Sequence, residues 1–540
     1  MKLFIVNSTT RIFPSYDGSR VGFYDIYAAR NENVNWQVML YNDTTFPVKC
    51  KLGVKSDLVT RVRLEQLVFG KAHTVYTEPE ELDGLGLIPG LLPDPLIDED
   101  EVVVYPFSNR AFWINSYIPA DHPAGSCPNL VECVCNRLGE DDSKWELCTS
   151  VDINVADFTV AQKKTVNCLH WFYCDSLADY YRVEPFTDEF WPICEKYMQN
   201  YSDHGNTIIY LPLFTPPLDG IKRPNQLVGV ERTSLHTYAF DFTLADKYVE
   251  LAHKCGLYSF ECVHFFTQWG CAHPIRIYAD PSDEYSYIFD PESDATGDEY
   301  REFLSQFLPA LKAWAEERGI FDNIWYHMSD EPHGDEHLAN YKKARDMIRG
   351  IAPWMKTMDA LSDINIAREA GVDMPISSVS SAPDFIAAGM PHWVYYCCGP
   401  KGRHVNRFLD TPLWKERMLG AAMYKLNALG FLQWGYNYWY RFGVDRNRIQ
   451  IDPYADQTND FYPGLPMGDA FEVYPSLDGP VDSLRWEVFR ELLEDFDLFT
   501  NLGVDKASPL LKDIIDYAEF PRDPGFIHKV RKALLEELVP

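Results

Sequence analysis

Short runs in which apolar residues alternate with polar ones recur through the first 165 residues of the chain. Turn-forming residues separate these runs and no amphipathic helix interrupts them, which is typical of an antiparallel β-sandwich. We therefore predict a sandwich domain over residues 1–165, with a surface loop at the Pro- and Gly-rich stretch Ile88–Pro95. The predicted strands are Trp36–Tyr41, Val48–Val54, Val62–Phe69, Val102–Tyr105, Phe112–Ile118 and Trp145–Val155.

The pattern changes near residue 166, where apolar runs begin to alternate with segments of helical periodicity. The predicted strands are Cys168–Cys174, Thr207–Phe214, Tyr258–Phe266, Ile324–Met328, Lys356–Ala360, Ile376–Val379, Trp393–Cys398 and Gly430–Trp434. The predicted helices are Asp188–Ser202, Leu244–Cys255, Glu299–Arg318, Glu336–Gly350, Asp363–Glu369, Asp384–Ala388, Leu413–Ala428 and Val481–Phe499.

The helical segments each place their apolar residues on one face. In the second of them Tyr248, Leu251 and Cys255 share a face, and Gly256 follows where a C-terminal glycine cap belongs. Eight strand–helix pairs predict a (β/α)8 barrel of the TIM type over residues 166–502, followed by a helical extension over residues 503–540. A doubly wound open sheet is the alternative fold.

Two adjacent carboxylates, Asp330 and Glu331, follow the fourth predicted barrel strand, and Pro332 ends the run. Two carboxyl groups this close cannot both ionise freely, so the pKa of one is raised. Functional groups of such barrels lie at the carboxyl ends of the strands. A protonated carboxyl beside an ionised one at this position predicts a glycoside hydrolase. The structural alternative is that Asp330 caps the next helix or forms a salt bridge.

The position of a second carboxylate decides the mechanism, because an ordinary retaining glycosidase needs a nucleophile about 5 Å from the acid. Predicted strands seven and eight contain no carboxylate, although Glu261, Asp359 and Asp175 on other strands stay open as nucleophiles. The two strands without carboxylates favour substrate assistance, in which the 2-acetamido oxygen of the sugar attacks its own anomeric carbon. Glu331 then protonates the leaving oxygen, and Asp330 holds the acetamido N–H.

Aromatic residues on the seventh and eighth strands are candidates for a sugar-binding wall. Alternate residues of a strand share a face, so pairs of these rings are expected to point inward together. Large rings with one polar edge suit the faces of sugars, and the alternative for each ring is apolar barrel core. The candidates are Trp393, Tyr395, Trp434, Tyr436 and Trp439.

Four segments resemble glycoside hydrolase family 123 and, more closely, its relatives catalogued as domain of unknown function 4091. These segments are Phe112–Gly125, Tyr326–Pro332, Gly430–Trp439 and Val481–Phe499. The resemblance implies a β-sandwich followed by a barrel, and exo-acting β-N-acetylgalactosaminidase activity by substrate assistance. It places the Asp-Glu pair of the family at Asp330 and Glu331.

Three other functions compete with this interpretation. The segment His333–His337 fits the His-x-x-Glu-His pattern of some zinc peptidases, which must lie on a helix, but it opens with a helix-start sequence and we predict no metal. An ordinary two-carboxylate glycosidase would act on a sugar without an acetamido group through Glu261 or Asp359. A non-catalytic carbohydrate-binding protein would keep the aromatic wall but lose the acid pair, which is intact here.

Composition restricts the partners. The formal net charge of −31 argues against nucleic acid or an anionic membrane as partner, and no apolar run is long enough to span a bilayer. The 13 cysteines have no regular spacing and the segment Met1–Asn7 turns polar early, so we predict a cytoplasmic protein with reduced thiols. We expect a carbohydrate substrate and no cofactor, and the sequence leaves a homo-oligomer open.

Overall fold

The computed structural model describes residues 1–19, 22–70, 90–140, 142–218, 221–443, 448–460 and 465–540. Within these ranges the first part of the chain forms ten strands. Their bounds are β1 Lys2–Asn7, β2 Ile26–Arg30, β3 Glu32–Tyr41, β4 Val48–Lys55, β5 Val59–Gly70, β6 Gly90–Ile97, β7 Glu101–Val104, β8 Asn109–Ile118, β9 Gly125–Arg137 and β10 Trp145–Thr159.

The ten strands form two five-stranded sheets, in the orders β1-β3-β8-β5-β6 and β2-β10-β9-β4-β7. Neighbouring strands are antiparallel except β2, which runs parallel to β10. In β4 the side chains of Val48, Cys50 and Leu52 are buried, whereas Lys49 and Lys51 between them are exposed. This alternation gives each sheet one apolar face, and the two faces meet in the sandwich core. The predicted sandwich is confirmed.

The prediction of a surface loop at Ile88–Pro95 is wrong for its described part, since residues 88–89 lie outside the described ranges. Residues from Gly90 onward form β6, in which Leu92 and Asp94 are fully buried. Prolines are tolerated in a strand at the edge of a sheet, and β6 is an edge strand. Pro93 and Pro95 therefore suggested a loop, whereas the chain pairs with β5 along one side and meets Ser483 in a single bridge on the other.

The second part of the chain alternates strands and helices. Its strands are β11 Asn167–His170, β12 Ile208–Leu211, β13 Gly229–Ser234, β14 Thr237–Asp241, β15 Ser259–Cys262, β16 Ile324–His327, β17 Thr357–Ala360, β18 Met374–Ser378, β19 Trp393–Tyr395, β20 Gly430–Gln433, β21 Tyr474–Ser476 and β22 Gly479–Val481. Its helices are α1 Cys174–Tyr181, α2 Phe190–Asp203, α3 Thr243–Lys254, α4 Asp298–Glu317, α5 Gly334–Ile351, α6 Ile364–Ala370, α7 Ala382–Ala387, α8 Leu413–Lys425, α9 Leu484–Leu502 and α10 Phe526–Leu535.

Eight parallel strands follow one another around a barrel in the order β11-β20-β19-β18-β17-β16-β15-β12. The backbone N–H of Thr207, just before β12, donates to the Cys168 carbonyl of β11 at 3.0 Å, so the two ends of the sheet nearly close. This confirms the (β/α)8 prediction over the doubly wound sheet. The hairpins β13–β14 and β21–β22 are additions to the barrel, and α10 lies in the predicted C-terminal extension.

Helix α9 connects the barrel to the sandwich through buried ion pairs. Arg63 of β5 donates to Asp482 at 2.6 Å and to Glu487 at 2.5 Å, at the start of the helix. Arg485 on the helix donates to Asp94 of β6 at 3.1 Å. All of these side chains are less than a tenth exposed, so the two domains share one rigid polar interface. None of the helices in the described ranges is long and apolar enough to cross a bilayer.

Candidate active site

The adjacent carboxylates lie just beyond the end of β16, at the carboxyl face of the barrel. The backbone around Asp330 is held by neighbouring strand ends: the Trp269 N–H donates to the Asp330 carbonyl at 2.8 Å, and the Ser329 N–H donates to the Asp359 carboxylate at 2.9 Å. The Ser329 hydroxyl donates to the Thr267 carbonyl at 2.8 Å. These bonds fix the turn that presents the pair.

Glu331 has a φ of +42°, in the left-handed region that residues other than glycine rarely adopt. Such conformations cost free energy and cluster at active sites. The Glu331 carboxylate accepts a hydrogen bond from the Tyr395 hydroxyl at 2.5 Å, and the same hydroxyl lies 2.8 Å from the Ser362 hydroxyl. The strained turn therefore carries a carboxylate with a defined orientation.

Asp330 is only 8% exposed, and its carboxylate accepts a hydrogen bond from the Gln268 side chain at 2.9 Å. Burial, and next to it the charge of Glu331, raises the pKa of Asp330 well above its ordinary value. The sequence predicted a raised pKa for one carboxyl of the pair, and the role of the pair as acid and base stays a prediction.

A buried charge network lies beneath the pair. His327 Nδ1 is 2.5 Å from Glu261, and His327 Nε2 is 3.3 Å from Asp359. Burial acts to lower the pKa of His327, but the two carboxylates, Asp359 foremost, raise it to about 10. Burial raises the pKa of Glu261. All three side chains are fully buried.

A cavity of about 210 Å³ opens beside the pair. Seven of its lining residues are aromatic: Trp171, Tyr173, Trp269, Tyr395, Tyr396, Trp434 and Phe442. Its polar groups are Gln268, Asp330, Glu331 and Asp469, and Cys397 and Cys398 also line it. Few polar groups converging on an apolar, aromatic surface are typical of a small-molecule site.

The sequence of the barrel region decides the family. Residues 171–502 match the sequence model described as glycoside hydrolase 123, catalytic domain, which is more than half of the chain. The chain belongs to glycoside hydrolase family 123. The pair, the cavity and most of the charge network lie within the matched region, so they belong to the catalytic domain of a glycoside hydrolase.

Structure comparison agrees with the family 123 fold. A structure described as giving the details of glycolipid glycan hydrolysis by a family 123 glycoside hydrolase from Clostridium perfringens matches with a TM-score of 0.74 at 14% identity, covering 99% of this chain and 98% of the other. A type III pullulan hydrolase from Thermococcus kodakarensis reaches a TM-score of only 0.29 at 10% identity, covering 94% of this chain and 89% of the other. Comparison with curated proteins by sequence gave no match.

The structure brings two of the five predicted aromatic residues to the cavity, Tyr395 and Trp434. Trp393 shares the inward face of β19 with Tyr395, but it is fully buried and contacts Trp325 across the barrel interior, below the cavity. Tyr436 and Trp439 follow the end of β20, where strand alternation no longer applies. They are fully buried and bond to Asn200 and to the Val473 carbonyl, respectively.

None of the three carboxylates left open as nucleophiles lines the cavity of this family 123 chain. Glu261 and Asp359 are occupied by the network with His327. Asp175 is fully buried, accepts the Lys222 N–H at 2.9 Å, and has a pKa raised to about 7 by burial.

Sequence reasoning missed several cavity residues because they lie in loops. Trp171 directly follows β11, and the apolar run that continues after it hid the end of that strand. Asp469 lies in the long segment after β20, where no periodicity gives a position to any side chain. It accepts a hydrogen bond from the Trp434 indole at 3.1 Å, and burial raises the pKa of Asp469 to about 7.

Several clusters have the residue types of metal ligands. Within the described residues, ligand atoms lie within 4.8 Å of one another in the sets Glu261/His264/His327, His327/Asp330/Asp359, His204/Asp482/Glu487 and Cys50/Cys133/Cys135. In the first two sets the imidazole of His327 already contacts both buried carboxylates, so hydrogen bonds and charge pairing account for the arrangement. The His-x-x-Glu-His pattern does not lie wholly on a helix, since His333 precedes α5 with an extended backbone.

Proposed function

We propose that this family 123 glycoside hydrolase removes a terminal 2-acetamido sugar, of the β-N-acetylgalactosaminide type, by a retaining and substrate-assisted mechanism. The observation that carries the proposal is the position of the carboxylates. Asp330 and Glu331 both line the cavity, whereas Glu261 and Asp359 are sequestered beneath it by His327. A self-sufficient adjacent pair suits a reaction in which the substrate supplies its own nucleophile.

In the first step the acetamido oxygen attacks the anomeric carbon while the bond to the leaving oxygen breaks. Glu331 donates its proton to that oxygen, and Asp330 accepts the acetamido N–H and stabilises the oxazolinium-like intermediate. In the second step Glu331 takes a proton from water, which attacks the same carbon and reopens the ring. Two inversions at one carbon retain the β configuration.

The cavity supports a sugar as the ligand. Aromatic rings such as Trp434 present flat apolar faces, and Gln268 and Asp469 supply polar groups at its edges. The Tyr395 hydroxyl lies between Glu331 and Ser362 and hydrogen-bonds with both. We expect it to exchange one of these hydrogen bonds for one to the acetamido group of the substrate. The Clostridium perfringens enzyme is described as hydrolysing glycolipid glycans, which supports a glycan as the substrate class here.

An ordinary two-carboxylate mechanism is the second candidate, because Asp469 is a third carboxylate on the cavity. Two observations weigh against it as a nucleophile. Its oxygens accept hydrogen bonds from the Trp434 indole at 3.1 Å and the Gln433 amide at 3.3 Å, and a pKa near 7 leaves it largely protonated in mildly acidic solution. We propose that Asp469 instead hydrogen-bonds a hydroxyl group of the sugar.

The test is turnover of aryl β-glycosides that differ only at C2. We expect hydrolysis of the 2-acetamido substrates, with the galacto and gluco forms compared directly, and competitive inhibition by a thiazoline mimic of the intermediate. Equal or better turnover of the 2-hydroxy substrates, together with a 2-fluoro sugar trapped as an ester on Asp469, would instead establish the two-carboxylate mechanism. Absence of turnover on every substrate would leave a carbohydrate-binding protein.

A further inference from the structure

The proposed mechanism requires that one carboxyl of the pair be protonated and the other ionised. The buried network beneath the pair affects which of the two holds the proton. Glu331 must carry the proton as the acid, and Asp330 must be ionised to accept the acetamido N–H. We infer that His327, held as an imidazolium between Glu261 and Asp359, keeps Asp330 ionised and so leaves the proton on Glu331. His327, Glu261 and Asp359 are then positioning residues, and the inference rests on the proposed function.

The geometry connects the network directly to the pair. The ligand-type atoms of His327, Asp330 and Asp359 all lie within 4.8 Å of one another. Asp359 also accepts the N–H of Ser329, the residue before Asp330, at 2.9 Å. A charge on His327 therefore acts on Asp330 at short range, in a fully buried environment where water screens it weakly.

The charge on His327 follows from its neighbours. Its two ring nitrogens face two carboxylates, at 2.5 Å for Glu261 and 3.3 Å for Asp359, so a neutral imidazole would leave one carboxylate facing a lone pair. The neighbouring ring of His264 stacks on it with centroids 3.9 Å apart. Burial lowers the pKa of His264 well below its ordinary value, so of the two stacked rings only His327 carries the charge.

The pair needs this cation because its own environment favours the opposite arrangement. Burial and the charge of Glu331 raise the pKa of Asp330 and Asp359 adds to the effect, whereas His327 acts to lower it. Among the described groups that act most strongly on Asp330, His327 is the one cation. It is thus placed to return the charge to the carboxylate that must hold the acetamido group.

The groups that face His327 come from several elements. Glu261 lies on β15, His264 follows β15, Asp359 lies on β17, and the Trp171 ring after β11 is 6.1 Å from the imidazole. Asp330 follows on the same segment as His327. Of these, Glu261 offers the cleanest variant, because it contacts His327 without contacting Asp330 or lining the cavity.

The experiment measures the pH dependence of kcat/KM on an aryl glycoside for three variants of the full chain. His327→Gln removes the cation, and Glu261→Gln removes one of the charges that keep it protonated. His327→Gln should move the acid limb to higher pH, by about 1–3 pH units, because an opposite charge at this range lowers a carboxyl pKa by that amount. Glu261→Gln leaves Asp359 to hold the imidazolium and should not raise the limb. Tyr210→Phe is the control, since it removes only a 2.9 Å hydrogen bond to His264 and no charge, and should leave the limb in place.

An acid limb that stays in place in folded His327→Gln overturns the inference, and so does an equal loss of kcat/KM at every pH in that variant. Thermal unfolding reports whether each variant is folded, and His327→Asn, which also removes the cation, carries the test if His327→Gln is not. The limb is measured on whichever aryl glycoside is hydrolysed. Failure of the proposed function appears separately, as wild-type preference for 2-hydroxy sugars.

Discussion

Two largely buried charge networks of this glycoside hydrolase differ in their balance of charge. At the interface between the domains, Glu487 of α9 lies between the guanidinium groups of Arg63 and Arg490. Burial acts to raise the pKa of Glu487, but Arg490 and Arg63 hold it well below its ordinary value. Every charge there has a partner, so the network stabilises the folded chain at neutral pH.

Beneath the active site, three carboxylates, Glu261, Asp330 and Asp359, share the single imidazolium of His327. Burial and the charge of Glu331 raise the pKa of Asp330, and His327 offsets this only in part. Carboxylates in excess of cations cost stability, and under the proposed mechanism this cost falls on groups that exchange protons with the substrate. The comparison teaches that equal burial of charge serves the fold at one place and chemistry at the other.

The largest effect is expected from breaking the balanced network. Arg63→Met keeps the aliphatic stem but removes the guanidinium that Asp482 and Glu487 share, leaving Arg490 as the arginine beside Glu487, and should lower the free energy of unfolding by about 4 kcal/mol. Denaturant unfolding measures this change. Arg61→Met is the matched control on the same strand: its guanidinium is more than half exposed, pairs with Asp98 and lies 4.0 Å from Asp482, so the loss should stay below about 1 kcal/mol. Equal losses in the two variants would contradict the role given to the interface.

The next effect concerns activity. Glu331→Gln cannot donate a proton, so kcat should fall by a few hundredfold, about 3.4 kcal/mol of activation free energy, while stability changes by less than about 0.5 kcal/mol. Initial rates on an aryl 2-acetamido glycoside check the first number. Glu336→Gln on the exposed start of α5 is the control and should leave kcat unchanged. Retained turnover in Glu331→Gln would remove this residue from the role of acid.

The comparison becomes sharpest when the same chemical change is made in both networks. Glu487→Gln should destabilise the chain by about 2 kcal/mol, because two arginines lose their carboxylate. Asp330→Asn should stabilise it by about 1 kcal/mol at neutral pH, because a crowded carboxyl is removed. Urea unfolding of the two variants beside the wild type measures both signs. A loss of stability in Asp330→Asn would mean that the active-site network is balanced after all.

Most of the fold could be predicted from the sequence because its strongest signals are local. The helical period and glycine cap of Leu244–Cys255 depend only on neighbouring residues, and the structure has α3 at Thr243–Lys254. The prediction of a loop was wrong for the stretch Gly90–Ile97 because the contacts that make it a strand are not local. Its strand character comes from pairing with β5 and from the bond between Asp94 and Arg485, nearly four hundred residues away, which no local pattern contains.

The residues of the candidate site divide in the same way, into those that local sequence predicts and those that depend on distant contacts. Asp330 and Glu331 were predictable because a strand end and two carboxyls are adjacent in the sequence. Asp469 was not, since its place on the cavity depends on a long segment after β20 without periodicity. The sequence marked Glu261 and Asp359 as carboxylates near strand ends, but only their distances to His327 assign them to a buried network.

The smallest expected effects are the changes with pH in the stability differences of Glu487→Gln and Asp330→Asn. These changes cannot exceed the differences themselves. Glu487 has a lowered pKa in the folded chain, so its stabilisation is present above pH 4.5, its ordinary value, and is lost as pH falls through the folded value. Asp330 has a raised pKa, so the stability that its protonated form gives the folded chain is fully present below pH 3.8, its ordinary value. That stability is lost as pH rises through the pKa in the folded chain. Unfolding free energies measured between pH 4 and 8 should therefore show the gain of Asp330→Asn shrinking on acidification while the loss of Glu487→Gln persists. If both differences shrink together, a common acid transition, rather than the opposite charge balance of the two networks, governs them.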